Sequence, residues 1–439
     1  MRGISWDMAR LGELVSYQKG FAFKSSAYRP LGHPIVRVSN FTRRSIDMTD
    51  CVYIDPATSE QYADVALSKG DVVIATVGSW PSNQASVVGK AICVPPEAAG
   101  SLLNQNAVRL RGNRNLDQRF LFYLLRSDAF QTYIVGTAQG SANQASITLK
   151  DIFGFEFPLP PLPYQRAIGT ILGLLDDKIE LNRRTNETLE EMARAMFRSW
   201  FVHFTPTDAK EKGRDVGFPQ HFSDLFPDSF EDSSMGRIPK GWTISTLGEL
   251  FEHRIERCTP SADTVAVPYV PIDCISSKSL FLTESRHGSE AQSSLTRFYK
   301  HDILFGAMRP YFHKVCIAPF DGTTRTTVFV LRAKDPADFS YSTLLLHDPG
   351  TVEYATRHST GSTIPYAKWD RSLALMPIVL PPPAVRGMFN KLARPLLDRI
   401  PERYFETKDL KECRDALLPR LVSGELRFAN ADRIVGGQV

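Results

Sequence analysis

Two stretches of this chain match each other at a fixed spacing, and that internal repeat limits the fold more than any single motif. Pro160 aligns with Pro381, an offset of 221 positions; at the same offset Asp177 meets Asp398, Lys178 meets Arg399, Ile179 meets Ile400 and Leu189 meets Leu410. Upstream the order is kept with looser spacing. Trp6 and Leu11-Gly12-Glu13-Leu14 recur as Trp242 and Leu247-Gly248-Glu249-Leu250. Lys69-Gly70-Asp71-Val72 recurs as Lys300-His301-Asp302-Ile303, and Gln139-Gly140-Ser141 as Thr360-Gly361-Ser362. A length of 439 residues exceeds one ordinary core, and the repeat divides it into two copies of globular domain, proline-rich hinge and helix.

The expected layout is a first globular domain over 1–157, hinge and first helix over 158–204, a linker over 205–240, a second globular domain over 241–380, hinge and second helix over 381–424, and a tail over 425–439. Short β-rich runs such as Pro34 to Val38, Asp71 to Thr76 and Val328 to Leu331 alternate with a helical patch over Arg119 to Tyr133. This mixture predicts an α/β (α+β) class for both globular parts. The linker, punctuated by Pro and Gly and carrying Asp224, Asp228, Glu231 and Asp232, is expected to touch surfaces without making a core.

After Pro163 the seam Ile168, Leu172, Leu175, Ile179, Asn182, Asn186, Leu189, Ala193 and Met196 alternates steps of four and three, the heptad signature of a coiled coil. The second helix gives Phe389, Ala393, Leu396, Ile400, Arg403, Thr407, Leu410, Arg414 and Leu417. Polar residues interrupt both seams near their middles. An antiparallel pair lets Asn182, Asn186, Arg403 and Thr407 meet and fixes the register; the alternative is that each helix packs on its own domain. A seam of roughly 42 Å at 1.5 Å per residue is comparable to one turn of B-DNA at ~34 to 36 Å. Arg183, Arg184, Glu190 and Glu191 are expected on a solvated face.

Hydrophobic residues at 43% and charged residues at 23% describe ordinary globular protein. The start lacks the apolar stretch of a secretory signal, and no later run is long and apolar enough for a membrane span, so a cytoplasmic location is expected. Six scattered cysteines, without the close pairs of zinc or redox motifs, are expected to be reduced and mostly buried. A net charge of +4 permits nucleic-acid binding without demanding it.

The hinge and linker text resembles one family, the specificity subunits of type I restriction-modification systems. The resemblance rests on Pro158-Leu159-Pro160-Pro161-Leu162-Pro163-Tyr164-Gln165, on Met196-Phe197-Arg198-Ser199-Trp200-Phe201-Val202, and on Asp224-Leu225-Phe226-Pro227-Asp228-Ser229-Phe230 leading to Met235-Gly236-Arg237-Ile238-Pro239-Lys240-Gly241-Trp242. The second hinge departs from it with Pro383-Ala384-Val385-Arg386. The resemblance implies two target recognition domains, each reading one half of a bipartite, asymmetric double-stranded DNA sequence. It implies spacer helices that dock two methyltransferase subunits, and restriction subunits carrying a motor and nuclease. No cofactor is expected in this chain; S-adenosylmethionine, ATP and magnesium are expected in the partners.

The residues themselves supply no catalytic constellation. Neither proline run carries the Asn or Asp of an adenine methyltransferase motif, Glu406-Thr407-Lys408 sits on a helix rather than a strand end, and no His pair has metal-ligand spacing. DNA contacts are therefore sought in loops bearing Arg, Lys, Asn, Gln, Ser or Thr. The first domain offers Arg37, Ser39, Asn40, Ser79, Asn83, Gln84, Ser141, Asn143 and Gln144. The second offers Arg309, Tyr311, Lys314, Arg325, Ser362, Thr363 and Tyr366. The competing readings are a diverged methyltransferase or nuclease acting alone, and an interaction scaffold that never touches DNA.

Overall fold

The computed structural model describes residues 6–42, 45–80, 88–141, 144–361 and 363–426. It divides into two compact units, Met1–Lys178 with Leu410–Val439, and Ile179–Asp409. In the first unit, strands β1 (Val15–Lys19), β2 (Val72–Ala75), β3 (Ala91–Cys93) and β4 (Ala107–Gly112) form an antiparallel sheet in the order β1-β4-β2-β3. The central strand β2 is buried on both faces. Because side chains alternate across a strand, Val72 and Ile74 join a core with Phe120, Leu121 and Phe130, while Val73 and Ala75 join one with Ile35, Ile92 and Leu102.

The second unit repeats that sheet. Strands β5 (Phe251–His253), β6 (Ile303–Gly306), β7 (Val315–Ile317) and β8 (Val328–Ala333) lie antiparallel in the order β5-β8-β6-β7. Two helices follow each fourth strand: Gln118–Leu124 and Asp128–Thr137 in the first unit, Phe339–Leu346 and Pro349–Arg357 in the second. The patch predicted as one helix is thus two, parted where Ser127 caps the second by accepting from the Phe130 amide.

An ion-pair clasp is duplicated too. Arg111 donates to Asp71 at 2.6 and 2.9 Å while the Ser68 amide donates to the same carboxylate at 2.7 Å. Arg332 donates to Asp302 at 2.7 and 3.0 Å, with the Tyr299 amide at 2.7 Å. Bidentate geometry and a third backbone donor satisfy each buried carboxylate. In the turn before it, left-handed backbone is supplied by Gly70 in one copy and by His301 in the other.

Helices α1 (Leu162–Phe197) and α2 (Pro383–Val422) contribute to both units. In the first, Ile168 and Leu172 share a core with Leu421 and Val422, and Arg414 donates to Asp176 at 3.1 Å. In the second, Ala193 and Phe197 pack with Phe389, Ala393, Leu397 and Ile400. Asn182 donates to Glu406 at 2.9 Å and to Thr407 at 3.4 Å, and Asn186 to the Ile400 carbonyl at 3.5 Å. Rising numbers on α1 meet falling numbers on α2 within each unit, so the segments run antiparallel. Two details differ from the predicted seam. Leu397 rather than Leu396 is fully buried, and the Nε of Arg403 finds no hydrogen-bond partner in the polar layer.

The hinge residue that departs between the copies keeps its task. Gln165 accepts from the Asp117 amide at 2.8 Å and donates to the Pro160 carbonyl at 2.8 Å. Its counterpart Arg386 donates to the Asp338 carboxylate at 2.7 Å and to the Pro381 carbonyl at 2.5 Å. Asp338 and Pro381 are the offset-221 equivalents of Asp117 and Pro160. A neutral amide and a guanidinium therefore tie the same two segments together.

Three further expectations are corrected. Residues 205–240 do build core: Phe226 and Ile238 are buried, Trp200 packs edge-on to Phe226 at 5.0 Å, and Lys210 donates to the Phe226 carbonyl at 2.6 Å. The Pro/Gly punctuation hid an aromatic cluster strong enough to hold the segment. Only Cys274 and Cys316 are buried, whereas Cys51, Cys93 and Cys258 are half-buried and Cys413 is exposed. Glu190, expected on a solvated face, is buried, and its partners are described below.

Phe226→Ala is expected to destabilise the second unit by about 3 to 5 kcal/mol, measured by guanidinium unfolding with Trp200 fluorescence as the signal; a surface tether would give under about 0.5 kcal/mol. Leu421→Ala is expected to cost the first unit about 2 to 5 kcal/mol despite lying more than 200 residues from that unit's sheet in sequence.

Candidate nucleic-acid interface

In the second unit three loops close on one another. The Ala307 amide donates to the Thr327 carbonyl at 2.9 Å, the Ala367 amide to the Ala307 carbonyl at 2.8 Å, and the Arg309 amide to the Pro365 carbonyl at 2.7 Å. These bonds gather the loop after β6, the turn before β8 and residues 365–367. They bring together Arg309, Tyr311, Arg325, Thr363 and Tyr366. Arg309 and His313 both adopt left-handed backbone without being glycine, at φ of 51° and 53°. Such conformations cost on the order of 1 to 3 kcal/mol each and collect at functional loops. Between them the turn Pro310–Phe312 presents two adjacent aromatics, Tyr311 at 49% and Phe312 at 46% exposure.

Not every predicted contact is free to reach a ligand. Lys314 donates to the Ile272 carbonyl at 2.8 Å and is half-buried; its charge serves the loop's attachment. The Tyr366 hydroxyl donates to the Thr326 carbonyl, and burial raises its pKa. Arg325 and Thr363 are exposed, while Ser362 lies outside the described residues.

In the first unit the short strand Val77–Gly78 pairs with Gln144–Ser146, and the latter with Gln139–Ser141. The Trp80 indole donates to the Ser141 carbonyl at 2.7 Å. Ser79, Ser141 and Gln144 are therefore neighbours; Asn83, Gln84 and Asn143 lie outside the described residues. Ser39 is exposed, but Asn40 is buried, its side chain accepting from the Arg37 amide at 2.9 Å. Arg37 is half-buried and donates to the Asp50 carbonyl at 3.0 Å. Asn40 thus serves the turn itself. Lys90 donates to the Phe41 carbonyl at 3.2 Å, and burial, with Arg126 nearby, holds its pKa below the usual lysine range.

The two glycines of the repeat are turn residues. Gly140 and Gly361 have φ of +155° and +99°, and a Cβ would sit 2.0 Å from the Gln144 carbonyl in one and 2.8 Å from the Ile364 carbonyl in the other. Each hairpin closes on itself there.

Residues 4–191 match the family model described as Type I restriction modification DNA specificity domain. The chain is 27% identical over 327 residues to the Type I restriction enzyme MjaIX specificity subunit of Methanocaldococcus jannaschii, covering 70% of this chain and 69% of that one. It is 24% identical over 415 residues to the HindI specificity subunit of Haemophilus influenzae, covering 83% and 88%. Over most of its length the chain is thus similar to type I restriction-modification specificity subunits. The resemblance carried by the hinge and linker motifs is borne out. The fold is also that of the crystallised type I S subunit from M. genitalium, with a TM-score of 0.58 at 15% identity over 96% of this chain and 97% of that one.

Trp80 and Phe312 lie in the same loops and were not among the residues expected from the sequence. Both are aromatics inside polar, Gly- or Pro-marked loops, and a ring beside a turn residue is the signal that marks them in the sequence. Among the described residues no group of three or more His, Cys, Asp and Glu side chains is placed to hold a metal, and no helix is long and apolar enough to cross a membrane. Replacing Arg325 with Ala is expected to lower the slope of log affinity for DNA against log salt by about 1. Lys314→Ala should instead lower the melting temperature and leave that slope unchanged.

Proposed function

We propose that the chain is the DNA-recognition subunit of a type I restriction-modification complex, each globular domain reading one half of a bipartite, asymmetric duplex target. The observation that carries the reading is a repeated frame with unlike loops. Both copies keep the sheet order, the Asp–Arg clasp and the hinge tie, yet one offers Ser79, Trp80, Ser141 and Gln144 where the other offers Arg309, Tyr311, Phe312 and Arg325. Two similar mounts with different side chains at their tips favour two different half-sites. Ser39 of the first domain and Thr363 of the second, both exposed, are assigned to DNA contact as well.

The helices are assigned the spacing. Leu181 and Met192, both about half exposed, lie eleven residues apart and so return to one face of α1 at 3.6 residues per turn. Exposed apolar residues on a regular face favour docking of a partner, here two methyltransferase subunits, with restriction subunits joining the full complex. Methyl transfer from S-adenosylmethionine, and cleavage using ATP and magnesium, are assigned to those partners.

Exchanging residues 1–157 for another member's first domain should change one half of the methylated sequence and leave the other as it was, as read by mapping modified adenines in the host genome. Inserting one heptad in each helix, about 10.5 Å of rise, should lengthen the gap between half-sites. The purified chain alone should transfer no methyl groups; transfer without partners would favour the reading as a diverged enzyme.

A further inference from the structure

Glu190 lies on α1 with only 1% of its surface exposed. Its carboxylate accepts from the Leu280 amide at 2.8 Å and the Ser279 hydroxyl at 3.1 Å. One residue before this pair, Lys278 adopts left-handed backbone, and its amide donates to the His313 carbonyl at 2.8 Å. His313 closes the strained turn that carries Arg309, Tyr311 and Phe312, its own amide donating to the Pro310 carbonyl at 2.8 Å. A continuous run of short contacts thus leads from the helix to the loop tip.

A second histidine stands beside the same carboxylate oxygen that accepts from Leu280. His347, at the end of helix Phe339–Leu346, is buried, and its Nε2 has no hydrogen-bond partner and stands 3.7 Å from the Glu190 carboxylate. His313 Nε2 donates to the His347 carbonyl at 2.9 Å, and the two rings lie 4.5 Å apart. The remaining charged groups around the cluster are Arg194, 4.0 Å from the carboxylate, and Glu187 on α1, with Lys278 and Asp348 beside the histidines.

We propose that Glu190 is a positioning residue: its ionised carboxylate holds the Ser279–Leu280 segment, and through Lys278 and His313 the Arg309–His313 turn, in the form that binds DNA, and a proton taken up between Glu190 and His347 releases it. The proposal rests on the reading of that turn as a DNA contact. At 3.7 Å the carboxylate and Nε2 are too far apart for a hydrogen bond, and adding a proton draws them toward the usual ~2.7 to 2.9 Å. The oxygen nearest Nε2 is Oε1, the one that accepts from Leu280, so a proton shared there turns that oxygen from a carboxylate acceptor toward a donor and weakens its hold on Leu280.

The protonation range follows from the surroundings. Burial pushes the Glu190 carboxyl up to about 6, against the Leu280 amide and Arg194, while burial and the neighbouring His313 hold His347 well below the usual histidine range. A raised carboxyl pKa means the folded chain holds its proton more readily than the unfolded chain. Stability from this group is therefore present in acid and lost as pH rises through about 6. Weakened DNA binding in acid would accordingly not come from unfolding at this site.

The test uses the full chain assembled with its methyltransferase partners and a fluorescent duplex selected by the wild-type complex from a random-sequence pool. Affinity is measured by anisotropy between pH 5 and 8. Release on proton uptake requires the released form to hold the proton more tightly than the form that binds DNA, and we expect wild type to weaken about fivefold from neutral pH to pH 5.5. Glu190→Gln, which keeps one acceptor and offers an N–H toward His347, should bind at the acid-form level throughout and lose that step. Glu190→Ala should bind more weakly still at neutral pH.

Arg309→Ala separates the two layers of the argument. If it binds as wild type does, the turn is not a DNA contact and the reading beneath the proposal fails. If it weakens binding while Glu190→Gln and wild type show parallel pH profiles, the turn reads DNA but Glu190 does not position it. That comparison decides the matter even if Glu190→Ala fails to fold.

Discussion

Neither core is complete without a segment of helix from the other half of the chain. The first unit closes over Leu421 and Val422, near the end of α2, and the second over Ala193 and Phe197, on α1. Antiparallel pairing of the two helices is therefore part of each domain's hydrophobic interior. The polar contacts at the seam, Asn182 with Glu406 and Thr407, and Arg414 with Asp176, set the register in which those apolar residues arrive. A one-turn slip would leave a buried guanidinium and two buried amides without partners, a cost of several kcal/mol.

On that frame the chain repeats electrostatic ties more faithfully than it repeats residues. The Asp71–Arg111 clasp recurs as Asp302–Arg332 with nearly the same distances. At the hinge, Gln165 and Arg386 differ in charge, yet both bind the carbonyl of the proline five residues before and the segment that opens the helix after the sheet. What is preserved is a donor aimed at a fixed carbonyl. The loops, which carry no such obligation to the core, are where the two copies differ, and strain at Arg309 and His313 is tolerated there because β6, β7 and residues 365–367 hold the turn from three sides.

The candidate site was partly legible. Polar loop chemistry pointed to Arg309, Tyr311, Arg325 and Thr363, which the fold gathers, and to Ser79, Ser141 and Gln144, which also meet. It failed for Asn40 and Lys314, whose hydrogen-bonding groups face inward, because sequence lists a donor or acceptor without saying what it already binds. Glu190 was misread for the same reason. On a helix rich in exposed charge, nothing local marks the one carboxylate that meets the Leu280 amide 90 residues away.

The sequence alone determined the duplication and the two helices, and pointed to their antiparallel sense and to a family resemblance, because these rest on periodicity and on text that recurs at a constant offset. Tertiary structure alone decided that the segment 205–240 is core, that the hinge tie survives a Gln-to-Arg change, and which loop residues remain free. The physical reason is range. Periodicity is written within a few turns of chain, whereas burial of Phe226 against Trp200 or of Glu190 against Leu280 depends on contacts that exist only once distant segments have packed.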